Sequence, residues 1–166
     1  MHPIVARVVL GALVPIGVGC KANLPALTDA NAALDATCRG PHADLLVDFF
    51  PTSLTNASAA LGAPDGSSVV LTTDGVITVG FVGLGGVTNA PGNDLRIHAT
   101  VAPGASATVR LASSDMQFRY AGDLTASVNE VDVGASEITS AVYVRIIDLS
   151  GTIEIDALEA THDTCP

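Results

Sequence analysis

The feature that most constrains the fold is a two-residue alternation of apolar and polar side chains in short runs. It is clearest in YVRIIDLSGTIEIDALEA (residues 143–160), where the alternation breaks at Ser150-Gly151 and then resumes. Because successive side chains of a β-strand point to opposite faces, this pattern predicts two strands, each with one buried face.

In residues 152–160 the alternation assigns every side chain to one face of the predicted strand. The side chains predicted to face the core are Ile153, Ile155 and Ala157. Those predicted to face solvent are Thr152, Glu154, Asp156 and Leu158. The acids are therefore interpreted first as solvent-facing residues, and Asp148, next to Ser150-Gly151, as a turn residue.

Further alternating runs, separated by turn residues, predict about eight or nine short strands. They span residues 43–50, 68–73, 75–82, 94–101, 106–112, 116–122, 141–148 and 152–160, with one strand or two short ones in 124–135. No long helix is predicted, so the fold class is all-β, an antiparallel β-sandwich. Asp74-Gly75 predicts a hairpin turn, because both residues tolerate positive φ.

The few aromatic residues are assigned by the same alternation. Phe49 and Phe50 are predicted to point to opposite faces of the first strand, so that one of them is exposed. Phe118 and Tyr120 share a face of residues 116–122, and the core is the favoured interpretation for both. In residues 94–101, Arg96 and His98 lie on the polar side.

The first twenty residues, MHPIVARVVLGALVPIGVGC, have the layout of a secretory signal peptide. A weakly basic start is followed by an apolar run too short to span a bilayer comfortably. Gly17-Val18-Gly19-Cys20 is similar to a bacterial lipobox, which predicts lipidation of Cys20 and a membrane anchor. The alternative is ordinary cleavage nearby, which yields a soluble secreted protein. The predicted organisation is a signal peptide at 1–19, a lead-in at 20–42 and one β-sandwich domain at 43–166.

Three cysteines fit the same exported setting. If Cys20 carries lipid, Cys38 and Cys165 remain as an even pair near the two ends of the domain. Terminal strands lie side by side in many sandwiches, so these two are predicted to form a disulfide in an oxidising compartment. No CxxC or paired histidines are present, which argues against a zinc site.

The charge balance argues against one class of partner. The formal net charge is -10, and the chain has one Lys and six Arg that form no basic cluster in sequence. Nucleic-acid binding requires clustered cations, so no nucleic acid is expected as a partner.

Three ordered stretches carry a resemblance to a known family. They are ADLLVDFFPTS with ALGAPDG, then TNAPGNDLRIHA, then YVRIIDLSG with IEIDALEA. Together they resemble a group of bacterial exported and cell-surface proteins, mostly uncharacterised, that share a jelly-roll β-sandwich similar to galactose-binding-like and discoidin-like domains. The resemblance covers roughly residues 43–160 and implies this fold and a place in the bacterial cell envelope or at the cell surface.

The resemblance also implies a structural calcium ion near the joined termini. The positions carried over as ligands are Asp65, Glu159 and, more weakly, Asp156; a turn-capping role for Asp65 is the alternative. The chain departs from the family pattern at His98-Ala99, where Phe-Glu is usual, and at Glu154, where the pattern has Asp.

The functional interpretation is a non-catalytic surface binding or adhesion module, exported and either lipid-anchored or secreted. Carbohydrate or a surface protein is the expected ligand class, by analogy with other jelly rolls. Arg96 and His98 are the candidate ligand-binding pair, against an ordinary wet strand face. The alternatives are a structural component of the cell envelope and, because carboxylates are plentiful, a glycan-active hydrolase. No nucleophile elbow, HExxH or P-loop pattern occurs.

Overall fold

The computed structural model describes residues 40–51 and 54–162. The predictions made for Cys20, Cys38 and Cys165, and those for the signal peptide, lie outside these residues. The strands are β1 (Leu45–Phe50), β2 (Val69–Thr72), β3 (Val76–Gly80), β4 (Val87–Thr88), β5 (Leu95–Val101), β6 (Ser106–Ala112), β7 (Arg119–Leu124), β8 (Glu130–Val131), β9 (Ser140–Ala141), β10 (Tyr143–Ser150) and β11 (Thr152–Ala160).

Strand pairing confirms the all-β antiparallel fold class. A five-stranded sheet has the order β1-β3-β10-β6-β7, a four-stranded sheet has the order β2-β11-β5-β8, and β4 pairs with β9. Every pairing between these strands is antiparallel. The helical residues in the described part of the chain form two short 3₁₀ turns, Ala57–Ala60 and Val133–Ser136.

The core lies between the two large sheets and is almost entirely aliphatic. Its largest fully buried side chain is that of Phe81, which follows β3. The others come from both sheets: Leu71, Ile77, Leu95, Ile97, Leu111, Leu124, Ile146, Ile153, Ile155, Leu158 and Val69. Each fully buried Leu or Ile contributes roughly 1.5–3 kcal/mol through removal of apolar surface from water. The strand alternation that predicted the fold is therefore also the pattern that builds this core.

The two ends of the described chain run side by side, although the terminal strands β1 and β11 belong to different sheets and do not pair with each other. The backbone N–H of Ala160 donates to the carbonyl of Pro41 at 2.7 Å, and that of Ala43 donates to Leu158 at 3.0 Å. His42 also forms an antiparallel bridge with Glu159. Residues 41–43 thus add to the edge of the four-stranded sheet, and the chain then crosses to the five-stranded sheet, where it forms β1.

The hairpin predicted at Asp74-Gly75 is wrong. Asp74 does adopt the expected positive φ of 69°, and the Gly75 N–H closes a turn onto the Thr72 carbonyl. However, β2 pairs with β11 and β3 pairs with β1 and β10, so the turn carries the chain from one sheet to the other. Backbone hydrogen bonds between this turn and Asp148 hold it against β10 instead of letting β2 and β3 pair.

The face predicted for Leu158 is also wrong. The pairing of β11 with β5 shifts between Ile155 and Ala157, so Asp156 is an extra residue on β11. A β-bulge of this kind reverses the alternation beyond it. Ile153 and Ile155 face the core as predicted, but Leu158 is fully buried as well.

The aromatic predictions have mixed outcomes. Phe49 packs against the core and Phe50 is 59% exposed, as the alternation requires. The strand predicted at 116–122 begins instead at Arg119, because Met116 takes a left-handed turn conformation with φ 56°. The core placement of Tyr120 is wrong, since its side chain is 55% exposed. The region 124–135 holds the last residue of β7, an isolated bridge between Thr125 and Val128, the short β8 and most of a 3₁₀ turn.

Candidate functional site

A polar groove lies on the outer face of the four-stranded sheet. Its volume is about 350 Å³, and it opens to solvent above β5 and β11. Strands and loops contribute backbone and short or polar side chains to it: Gly66, Ser68, His98, Ala99, Thr100, Asn129, Glu154 and Asp156. A ligand here would meet amide, hydroxyl, imidazole and carboxylate groups.

The bulge on β11 builds one wall of the groove. Oδ1 of Asp156 accepts a hydrogen bond from the backbone N–H of Asp65, and Oδ2 accepts one from Gly66, both at 3.1 Å. The carboxylate of Asp65 in turn accepts from the Ser67 N–H at 2.7 Å, closing a local turn. Asp156 therefore fixes the 65–67 loop against the sheet, and both of its oxygens are engaged.

His98 lies on the groove side of β5, on the face that the alternation predicted. Its Nε2 is 2.8 Å from Oε2 of Glu159, and both side chains are 28% exposed. The contact is diagonal across the two strands, because Ala157 is the residue directly opposite His98. The imidazole is thus oriented by a carboxylate from a strand 61 residues away.

Arg96 shares this face but is committed to a different carboxylate. Its Nε and Nη2 donate to Oε1 of Glu130 at 2.9 and 2.8 Å, and Asn93 donates to Oε2 at 3.3 Å. The hydrogen bond from Arg96, followed by the one from Asn93, lowers the pKa of Glu130. The pair predicted as a ligand-binding patch therefore lies on one face, and each member has its own acidic partner.

Glu154 is the groove carboxylate with both oxygens available. It is exposed, as the alternation predicted, and lies between Val70 of β2 and Thr100 of β5. No hydrogen bond or ion pair joins its side chain to another described residue. Asp156 differs from the prediction for the same strand, because it is half-buried and bound to the loop.

The three residues predicted as calcium ligands do not converge. Asp65 and Asp156 are brought together, but through the backbone N–H of Asp65. Glu159 contacts His98 instead. Within residues 40–51 and 54–162, no group of three or more His, Cys, Asp or Glu side chains is placed to hold a metal ion. The calcium prediction gains no support from this arrangement.

The outer face of the five-stranded sheet presents a second set of side chains, which the sequence interpretation missed. The guanidinium of Arg145 lies 3.9 Å from the centre of the Phe118 ring. Its Nε donates to Oγ1 of the fully buried Thr78 at 2.9 Å. Tyr120 is exposed beside them, opposite Arg110 in the strand register. The alternation of AVYVRIID assigns Arg145 to the polar face. It does not predict the contact with Phe118, which follows the turn at Met116.

No protein-family model matches the chain, and comparisons with curated proteins and with solved structures give no significant match. Neither 3₁₀ turn, nor any other helical segment among the described residues, has the length and apolar character needed to cross a bilayer.

Proposed function

We propose that this chain is an exported, non-catalytic binding module that takes a glycan in the groove on its four-stranded sheet. The observation that carries the proposal is the groove itself, a polar depression of about 350 Å³ built on β5, β11 and the loops beside them. Small-molecule sites are concave, with polar groups placed to fix the ligand's orientation. The groups here, among them Thr100, Asn129 and Glu154, suit the hydroxyl groups of a sugar as donors and acceptors.

The state of the acidic groups favours binding over hydrolysis. Glycoside hydrolysis generally uses two carboxyl groups, one as acid and one as nucleophile or base. Both oxygens of Asp156 accept backbone hydrogen bonds, and Glu159 is paired with His98. That leaves Glu154 as the one carboxylate of the groove lining without a partner among the described residues. One free carboxylate is sufficient to accept hydrogen bonds from sugar hydroxyls.

The cellular setting is part of the same proposal. The leader at 1–19 and the lipobox-like Gly17-Val18-Gly19-Cys20 support export and a lipid anchor at Cys20 in a bacterial envelope. A module tethered in this way would present its sheet faces to surface polymers. Intact-mass measurement of the mature protein tests the setting: an acylated Cys20 supports the tether, whereas an unmodified protein cleaved elsewhere supports secretion.

Binding to neutral oligosaccharides tests the function directly. The full-length mature protein is applied to immobilised neutral oligosaccharides of glucose, galactose, mannose and N-acetylglucosamine, and the dissociation constant of any bound sugar is measured. Glu154→Gln is expected to weaken binding about tenfold, because a hydrogen bond to a charged group contributes roughly 1.5–3 kcal/mol. The matched control is Glu137→Gln, which makes the same change at an exposed residue outside the groove.

Two outcomes contradict the proposal in different ways. If no neutral sugar binds, or if Glu137→Gln weakens binding as much as Glu154→Gln, the groove is not the site. If the bound sugar is cleaved and Glu154→Gln abolishes release of reducing ends, the module is a hydrolase rather than a binding protein.

A further inference from the structure

The outer face of the five-stranded sheet carries two adjacent arginines. The strand register aligns Asp48 of β1, Thr78 of β3, Arg145 of β10, Arg110 of β6 and Tyr120 of β7 in one row across the sheet. Arg145 and Arg110 are direct cross-strand neighbours, so their side chains emerge on the same face. Like charges in this position repel each other.

The two arginines also lack acidic partners. No carboxylate of the described residues lies within 4.0 Å of either guanidinium, whereas Arg96 pairs with Glu130 and Arg119 with Glu137. The formal net charge of the chain is -10, so acids are abundant. Two neighbouring cations left without acids in so acidic a chain therefore make a local site for an anion.

Arg145 is held in place before any ligand arrives. Its guanidinium stacks on Phe118 at 3.9 Å and its Nε bonds to Thr78, leaving the two terminal nitrogens without a partner in the described chain. A planar guanidinium fixed in this way matches a carboxylate better than a mobile ammonium does, because its donors already point in one direction.

Aromatic rings flank the arginine pair. Tyr120 is directly opposite Arg110 and is 55% exposed. Tyr143, two residues before Arg145 and on the same face, lies over Gly80, where a Cβ would come within 3.3 Å of the ring. Tyr143 is half-buried, so the exposed ring of Tyr120 is the flat surface on which a sugar ring can stack.

We propose that this face binds an acidic glycan, with the carboxylate of a uronic acid residue on Arg110 and Arg145 and a sugar ring on Tyr120. The proposal extends the proposed glycan-binding function to a second site on the opposite sheet. Nucleic acid and anionic membranes fit less well, since dense negative charge is repelled by a chain of net charge -10. A glycan with one carboxylate per sugar can place a carboxylate on the arginine pair. The acids of this face are Asp48, at the end of the row, and Asp123, beside Tyr120.

Isothermal titration of the full-length mature protein with oligogalacturonate, and with neutral galacto-oligosaccharide of equal length, tests the proposal. We expect oligogalacturonate to bind at least tenfold more tightly at this face, with an affinity that falls as salt is added. Arg110→Gln is expected to weaken its binding at least tenfold. Arg145→Lys keeps the charge but loses the planar fork, so it should also weaken binding.

Matched controls separate this site from the groove. Arg96→Gln makes the same charge change on the other sheet, and Glu154→Gln alters the groove; both should leave oligogalacturonate affinity within twofold of wild type. Thermal unfolding of each variant checks that it folds. The proposal is overturned if Arg96→Gln acts like Arg110→Gln, if the neutral oligosaccharide binds equally well, or if only phosphatidylglycerol vesicles are bound through Arg110. If wild type binds a neutral sugar that Glu154→Gln no longer binds, but does not bind oligogalacturonate, the proposed function of the groove is supported and the acidic-glycan site is rejected.

Discussion

Asp94 and Asp148 are both fully buried, and they lie at opposite ends of the sandwich. Asp94 immediately precedes Leu95, the first residue of β5, which pairs with Ala160 of β11. Asp148 lies near the opposite end of the sandwich, where Val101 of β5 pairs with Ile153 of β11. At the first end the two ends of the described chain also meet, since the N–H of Thr161 donates to the Asp94 carbonyl and that of Ala160 donates to Pro41.

The two carboxylates differ in what donates to them. Oδ1 of Asp94 accepts from the Ala90 N–H at 2.8 Å and Oδ2 from the Val133 N–H at 2.9 Å. Oδ1 of Asp148 accepts from the Ser150 N–H at 2.9 Å, but its Oδ2 is buried without a hydrogen-bond partner in the described chain. The buried carboxylate of Asp94 is therefore expected to stabilise its end of the sandwich, because both of its oxygens accept hydrogen bonds. The buried carboxylate of Asp148 is expected to weaken the other end, because one of its oxygens accepts none from the described chain.

The predicted disulfide between Cys38 and Cys165 should stabilise the folded domain further. Cys38→Ser, Cys165→Ser and their combination are expected to lower the free energy of unfolding by about 4–5 kcal/mol, since the bond would close a loop spanning nearly the whole domain. Urea unfolding under oxidising conditions measures this. Cys20→Ser is the control and should have no effect on the folded domain. Two free thiols at positions 38 and 165 in the native protein would refute the prediction.

Asp94→Ala is expected to have the next largest effect. It leaves the buried N–H of Val133 and the partly buried N–H of Ala90 without acceptors, at a combined cost of about 3 kcal/mol. Denaturant unfolding measures the loss. Asp115→Ala is a matched control, because Asp115 accepts a similar backbone hydrogen bond from Gln117 where water can replace it. Equal losses in the two variants would mean that the buried network does not stabilise this end.

These contrasts show how far the sequence alone could lead. The bounds of β6 follow from uninterrupted alternation, and those of β11 from an alternation that holds as far as Ala157. Arg96 and His98 lie on one face of β5 because the same pattern holds there. The bulge at Asp156 does not follow, because it depends on the register with β5 and on the N–H groups of the 65–67 loop. A local pattern reports which face a residue occupies and not which distant strand lies beside it.

The same limit explains the missed features of both sheet faces. The partners of His98 and Arg145 come from positions 61 and 67 residues away in the chain. The donors to Asp94 come from a neighbouring loop and a 3₁₀ turn. The alternation of apolar and polar residues in DLRIHATV therefore does not predict that this acid is buried. The order of strands in the sheets determines which distant residues come into contact. The wrong hairpin prediction at Asp74-Gly75 was an error about this order, because it paired β2 with β3.

Asp148→Asn should strengthen the weaker end, by a smaller amount. Burial, with a further contribution from the negative charge of Asp74, raises the pKa of Asp148 against the opposing hydrogen bond from Ser150. A carboxyl whose folded-state pKa is raised favours folding most below its unfolded-state pKa of about 3.9. That contribution is lost as pH rises through the folded-state pKa. Asparagine does not titrate, so the variant should gain on wild type as pH rises above about 4, reaching roughly 1 kcal/mol once the carboxyl of Asp148 is ionised in the folded protein.

Thermal unfolding at a series of pH values between 4 and 8 measures this gain as a widening difference in melting temperature. Asp74→Asn provides the internal comparison. It keeps a side chain that tolerates the positive φ of 69° and removes only the neighbouring charge. It should therefore shift the curve in the same direction by less than Asp148→Asn does. A constant difference across the series would show that the unpartnered oxygen of Asp148 carries no charge penalty, and the two ends of the sandwich would then differ in hydrogen bonding alone.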